Sequence, residues 1–358
     1  MAILLCFCIA KYPHKEELHL DMKTVLEKLC GCTAPSGFEN PAAQAAQALL
    51  APLVDETSID RMGNLIGVRR CGREGARTIL LDAHLDEIGL IVTGAEEGYL
   101  RFRTIGGVDP RMLPGREVTI LTQPPMVGIV ASPGPGHEDQ DKAVPIAELV
   151  IDAGLTQEQG EALVGTPMVY RGSCFPLGED QMCGKAMDDR SCFAALLRCM
   201  ELLKDKALDV DVYVMGSTRE EVSGVGATVG TWAVQPDCCV AVDVTHGRTP
   251  DGPADKTFTL GGGPAIGVGP NMARWMTQRL LDKAQEREIP FQQEVMSGHT
   301  GTNGWEMQIS REGVATAVLS LPLKYMHSPI EVLSLTDLEH TAALLAAFVE
   351  DLGKEGQL

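Results

Sequence analysis

Four apolar runs in this chain have strand character: Thr78 to Leu81, Val210 to Val214, Cys238 to Val242 and Thr316 to Leu321, with helical patterns between them. That alternation restricts the chain to an α/β arrangement built on a largely parallel sheet, because parallel neighbours need a crossover connection. Such sheets bind ligands beyond the carboxyl ends of their strands. Metal-capable side chains follow each run at that end: His84, Asp86 and Glu87 after the first, Glu220 and Glu221 after the second, Asp243 after the third and His327 after the fourth. A fifth stretch, Met187-Asp188-Asp189-Arg190, opens an amphipathic helix. Positions far apart in the chain are therefore expected to meet at one site.

At 358 residues the chain is long enough for one large domain and a smaller one. A formal charge of −19 argues against a nucleic-acid footprint, which needs clustered Lys and Arg. Eleven cysteines, an odd number without a C-x-x-C pair, read as reduced thiols of a cytoplasmic protein and not as disulfide staples or a zinc knuckle. The apolar start is too short to span a membrane and lacks a basic flank, so residues 1–21 read as an extension before globular sequence near Met22.

From Met22 the reading is a helix over Met22, Val25, Leu26 and Leu29, an alanine-rich helix from Pro41 to Leu53, a short strand at Asn64 to Val68, and the strand into His84. Residues 22–93 make the first part of a catalytic domain. Between residues 94 and 172 the character changes to short β runs, Leu100 to Arg103, Glu117 to Leu121 and Val127 to Val130, punctuated by glycine and proline. The loop Pro133 to Asp141 and a brief helix at Thr156 to Leu163 belong to this inserted β-rich domain. The catalytic domain resumes over 173–358, where Asp189 or Ser191 would cap the helix carrying Phe193, Leu196, Leu197, Met200 and Leu203.

Imidazole with carboxylates is the ligand set of catalytic Zn, Co or Mn sites, whereas structural zinc favours cysteine, which is absent from all five points. Two divalent ions about 3.5–4 Å apart need a carboxylate between them and further ligands on each. Asp188 at a strand-to-helix corner suits the bridge. His84 with Asp243, and Glu221 with His327, could complete the pair. In Glu220-Glu221 one carboxylate can ligate while its neighbour takes a proton from water. Asp86, on the same side of an extended stretch as His84, could hold that imidazole by its second nitrogen.

Each signal has an ordinary alternative: a cap and salt bridge for Asp188-Asp189-Arg190, a response to the helix dipole for Glu220-Glu221, a loop histidine for His327. Five coincidences at strand ends favour the site. His14, His19, His137 and His340 read as exposed, while His246 and His299 fall near predicted site residues. Gly261 to Gly263 lacks the spacing of a nucleotide fingerprint and suggests tight backbone approach at the mouth of the site.

The chain resembles the tetrahedral aminopeptidases, co-catalytic metallopeptidases of the glutamyl and deblocking type, some of which have been labelled endoglucanases. The resemblance runs through Ala34-Pro35-Ser36-Gly37, Ala83 to Gly89, Ile105 to Pro110, Gly184 to Arg190, Glu220-Glu221, Asp243 and Tyr325 to Pro329. It implies an α/β catalytic domain interrupted by a small β-barrel-like domain. It also implies His84, Asp188, Glu221, Asp243 and His327 as metal ligands with Asp188 bridging, Glu220 as general base, and Asp86 supporting His84. Two departures stand out: Asn303 occupies a place where the family more often has aspartate, and Lys324 one usually held by arginine.

The expectation is an aminopeptidase that removes N-terminal residues from peptides through a water bridging two divalent ions, Zn, Co or Mn. By resemblance the subunits assemble through dimers into a hollow tetrahedral homododecamer. The alternatives are a metal-dependent deacylase or amidase acting on small acylated substrates, and an inactive shell-forming scaffold. Specificity is expected from the segments Gly261 to Asn271 and His299 to Asn303.

Overall fold

The computed structural model describes residues 19–132 and 144–353; most of the N-terminal extension, the Pro133 to Asp141 loop, His14 and His137 lie outside them. The first helix, Met22–Cys30, is capped by Asp21, whose carboxylate accepts from the Thr24 N–H at 3.3 Å, and it buries Met22, Val25, Leu26 and Leu29 as their spacing predicts. The second, Asn40–Leu50, passes into a tight turn at Ala51–Leu53.

The four longest strands of the main sheet are parallel neighbours in the order Val210–Ser217, Arg77–His84, Cys238–His246 and Ala315–Lys324. Antiparallel strands extend both sides, Leu65–Arg69 and Glu56–Ile59 on one, Glu331–Ser334, Gln181–Gly184 and Phe175–Leu177 on the other. Interior residues such as Ile79, Leu81, Val212, Val240 and Leu319 are fully buried, which is why these runs read as continuous apolar stretches. On one face pack the helices Met22–Cys30, Met187–Leu203 and Leu335–Asp351. The other face, with Leu80, Met215, Cys239 and Ala241, is covered by Val225–Val234 and the short helix Gly304–Met307. The strands Ala265–Val268 and Gln292–Val295 and the helix Arg274–Glu286 escaped the sequence reading, since their glycine-rich and polar surroundings mask any period.

A closed antiparallel barrel of six strands interrupts the sheet, with Leu90, Phe102, Val118, Ile120, Ile151 and Met168 filling its interior. Closure leaves no free strand edge. The barrel begins at Gly89 and not near residue 94: Gly89–Glu96 looks like a sheet strand in sequence, but glycine at 89 lets the backbone approach Met168, whose carbonyl would lie 2.6 Å from a Cβ there. Its last strand is Pro167–Tyr170.

Beneath the carboxyl ends of the parallel strands lies a buried ionic knot. Lys185 Nζ donates to both Glu87 oxygens (2.9 and 2.7 Å) and to the Cys32 carbonyl. Arg190, fully buried, donates to Glu87 at 3.1 Å and to the carbonyls of Leu29, Cys32, Ala34 and Leu85. A fork of five N–H groups suits so many acceptors in one plane. The knot ties the end of the first helix, the loop after His84 and the Lys185–Arg190 corner into one unit. Glu87→Gln leaves two buried cations short of a counter-charge; it is expected to cost about 3–5 kcal/mol, measured by denaturant unfolding.

Candidate metal centre

His84 is the last residue of its strand and stands in register with Ser217 of the parallel neighbour, after which the chain turns into Glu220-Glu221. Asp243 lies inside Cys238–His246 and not beyond its end, level with Ser320. Asp188 follows Gln181–Gly184, and His327 follows Ala315–Lys324. Four non-glycine residues in these corners take left-handed backbone conformations: Ala186 (φ 55°), Arg219 (60°), Tyr325 (59°) and His327 (61°). Such residues cost free energy that the surrounding structure must offset, and they gather at functional sites.

The corners deliver two groups of potential ligand atoms, each within 4.8 Å: His84, Asp188 and Asp243, and Asp188, Glu221 and His327. Asp188 is common to both. One of its oxygens faces His84 Nε2 at 3.1 Å and the other faces His327 Nε2 at 3.3 Å, the disposition a carboxylate shared between two cations requires. His327 Nε2 is also 3.2 Å from Glu221, and Glu220 lies 3.8 Å from His84 Nε2. The donors are oxygen and nitrogen, matching Zn, Co or Mn chemistry. These residues therefore fit divalent ions.

Supporting contacts orient both rings. His84 Nδ1 donates to the Asp86 carbonyl at 3.2 Å and lies 3.4 Å from its carboxylate. That carboxylate accepts chiefly from Ser36 Oγ (2.6 Å) and from the backbone N–H groups of Glu220 (3.1 Å) and Glu221 (3.2 Å). Asp86 thus joins the His84 corner to the glutamate turn. His327 Nδ1 donates to the Gly107 carbonyl at 3.0 Å, which turns Nε2 toward Asp188. A Cβ on Gly107 would sit 2.7 Å from that nitrogen, so the glycine is required by close approach.

Sequence reasoning missed Glu331. Its two oxygens accept from the backbone N–H of His327 (2.9 Å) and of Asp188 (3.2 Å), binding the two corners to each other. Its place four residues after His327 was the one available signal. Asp189 and Ser191 do not cap the helix as expected. Asp189 accepts from the His84 N–H at 3.2 Å, and Ser191 Oγ donates to the Met187 carbonyl at 2.6 Å, because both are drawn inward by the buried corner.

The site is crowded with carboxylates. Burial pushes Glu220 up to about 9 and raises Glu221, Asp243, Asp189 and Glu331 as well. Burial opposes charge on His327 too, yet its bonds to Asp188 and Glu221 carry it up to about 11. His84 is raised against burial by Asp188 and Asp86, while the two imidazoles overcome burial to hold Asp188 low. Divalent cations held by these imidazoles would balance the same carboxylate charge.

A cavity of about 460 Å³ opens onto this cluster, lined by Asp188, Glu220, Glu221, Asp243 and His327 together with His299, Thr302, Glu306 and Met326. His246 is not among the lining residues, and neither are Gly261 to Gly263. The Gly261 and Gly263 N–H groups instead donate to Asp337 at 2.6 and 2.7 Å, fastening a distant turn to the final helix. Asn303 is buried behind the cavity, donating to Asp82 and Ser217 Oγ at 2.8 Å each, and Lys324 pairs with Val332 at a strand end. Burial raises Asp82 to about 6, with the Ser217 and Asn303 bonds opposing the rise. His340 is partly buried and not exposed.

An α/β sheet with imidazoles and carboxylates gathered at the carboxyl ends of its strands fits the class of hydrolases that use divalent ions. Within it, the chain belongs to the M42 glutamyl aminopeptidase family, whose model matches residues 63–344. It is 32% identical over 343 residues to the lysyl aminopeptidase of Pyrococcus furiosus, covering 92% of this chain and 96% of that one. Its fold superposes on the aminopeptidase APDkam598 of Desulfurococcus kamchatkensis with a TM-score of 0.86 and 34% identity, covering 92% of this chain and 94% of the other. It also matches the Pyrococcus horikoshii TET1 peptidase, described as assembling into a tetrahedron or a large octahedral shell, with a TM-score of 0.81 and 29% identity, covering 93% of this chain and all (100%) of that one.

Two expectations follow. A carboxyl raised to about 9 and an imidazole raised to about 11 both keep protons that the unfolded chain releases, so metal-free protein loses stability as pH climbs through that range. Thermal unfolding of chelator-treated protein should therefore move to lower temperature between about pH 5 and 9, and added Zn should oppose the trend increasingly as pH rises. Gly107→Ala, by displacing the His327 ring, should weaken metal binding about 10- to 100-fold in calorimetric titration.

Proposed function

We propose that this protein is a metal-dependent aminopeptidase that removes N-terminal residues from peptides, with His84 and Asp243 holding one divalent ion, Glu221 and His327 a second, and Asp188 shared. The observation that carries this reading is the placement of the two Asp188 oxygens, 3.1 Å from one imidazole and 3.3 Å from the other. Bound there, the ions would acidify a shared water and polarise the scissile carbonyl.

Glu220 is the general base of this proposal. Its carboxyl lines the cavity beside His84 without belonging to either ligand group, and its backbone is fixed by Asp86. It takes the proton of the attacking water and returns it to the departing amine. Burial raises this carboxyl in the metal-free protein, and cations bound beside it would lower it again, leaving it ionised to accept the proton of the water. Asp86 is a positioning residue, setting the His84 ring and the glutamate turn together.

The P. horikoshii TET1 peptidase can assemble into a tetrahedron or a large octahedral shell, and the assembly proposed here for this chain is a homododecamer built from dimers. Solution scattering on the purified protein checks it, and a monomeric mass would contradict it.

The test of the chemistry uses amino-acid p-nitroanilides and chelator-stripped protein with and without Zn, Co or Mn. Metal should restore cleavage of free-amine substrates. Glu220→Gln should lower turnover about 10²- to 10⁴-fold while retaining metal by elemental analysis. Cleavage of N-acetylated substrates alone would sink the aminopeptidase reading in favour of a deacylase.

A further inference from the structure

The family model is named for glutamate and one relative for lysine, so kinship leaves the charge of the preferred first side chain open. The cavity is more specific. Its wall beyond the metal cluster carries one further charged side chain, Glu306, on the short helix Gly304–Met307, and no Lys or Arg lines the space. Among the described residues no Lys or Arg forms an ion pair with Glu306. His299 lines the same wall, but its Nδ1 accepts from the Gly301 N–H at 3.0 Å and its ring stacks on Trp305 at 4.5 Å. That hydrogen bond and the stacking hold the ring against its own loop.

The position of Glu306 is built. Its Cγ and Cδ would lie 2.7 Å from a Cβ on Gly224, so the carboxylate arm folds over a bare glycine just after the Glu220-Glu221 turn. Val222, Val244 and Met326 also line the cavity and offer apolar walls suited to a methylene chain. A chain with an apolar stem and a cationic tip matches that combination of surfaces.

We infer that Glu306 is a specificity-determining residue that selects a lysine or arginine at the first position of the peptide, its carboxylate pairing with the side-chain cation. This rests on the aminopeptidase reading. The net charge of −19 draws the same substrates to the protein, though it cannot discriminate at the level of one side chain. A glutamate at the first position would instead meet a like charge with no Lys or Arg in the cavity wall beside it, a repulsion that counts against binding as much as the attraction counts for lysine.

The experiment compares kcat/KM for Lys-, Arg-, Leu- and Glu-p-nitroanilide with metal-reconstituted protein and with Glu306→Gln and Glu306→Lys. The unaltered protein should prefer Lys or Arg over Leu, and both far over Glu. In Glu306→Gln the Lys-to-Leu ratio should fall about 10- to 100-fold, the worth of one hydrogen-bonded charge, with most of the change in KM. Glu306→Lys should invert the order of Lys and Glu. As a check needing no variant, L-lysinol should inhibit Leu-p-nitroanilide cleavage at lower concentration than L-leucinol. An unchanged Lys-to-Leu ratio in Glu306→Gln overturns the inference, and so does an equal loss on all substrates, which would mark Glu306 as a group that binds the common α-amine. In either case cleavage by the unaltered protein leaves the aminopeptidase reading standing. Failure of the unaltered protein to cleave any of the four removes both.

Discussion

Glu87, between Lys185 and Arg190, is the interaction on which the geometry of the site depends. Three ionised side chains are buried together, an arrangement that costs desolvation and is recovered only when every donor finds an acceptor. Here they do: the two cations share Glu87 and take up the carbonyls at the end of the first helix and after His84. The consequence is positional. His84 and Asp188 come from strands on different parts of the sheet, and the knot fixes the corners that carry them to one another.

Above the knot the electrostatics reverse. Glu220, Glu221, Asp188, Asp243, Asp189 and Glu331 crowd around two imidazoles, and burial works against the charged form of each carboxyl. A folded chain tolerates such crowding where protons or cations compensate it. The left-handed backbone at Ala186, Arg219, Tyr325 and His327 adds a further cost that the surrounding structure offsets. The inserted barrel contributes to the same site, since the Gly106-Gly107 segment that follows its second strand holds His327 and backs Glu221.

Much of this was legible in the chain because apolar runs announce parallel strands and the residues after them announce the site. His84, Asp188, Glu221, Asp243 and His327 each stood at or near the end of such a run, and the structure brings all five together. Glu331 and Glu306 were not legible. Neither follows an apolar run, and an isolated glutamate has no period to distinguish it from a solvated one. Asp189 and Ser191 misled because a short polar residue before an amphipathic helix is the ordinary mark of a cap. The glycines Gly261 to Gly263 misled for a similar reason, since tight backbone approach can occur anywhere in a fold, and here it occurs against Asp337.

What the sequence determined by itself was local and periodic: the order of strands and helices, the interruption by short β runs, and the chemical types of the side chains at strand ends. Those follow from backbone propensity and from the alternation of apolar and polar residues, which each segment carries within itself. What the tertiary structure alone decided was which oxygen of Asp188 faces which imidazole, which glutamate stays outside both ligand groups, and that Glu306 comes to line the cavity. These are contacts between segments that lie up to about two hundred residues apart in the chain, set by the buried knot beneath the sheet and by the space left at Gly107 and Gly224. No segment encodes such distances alone, because they arise only when the corners are packed against each other.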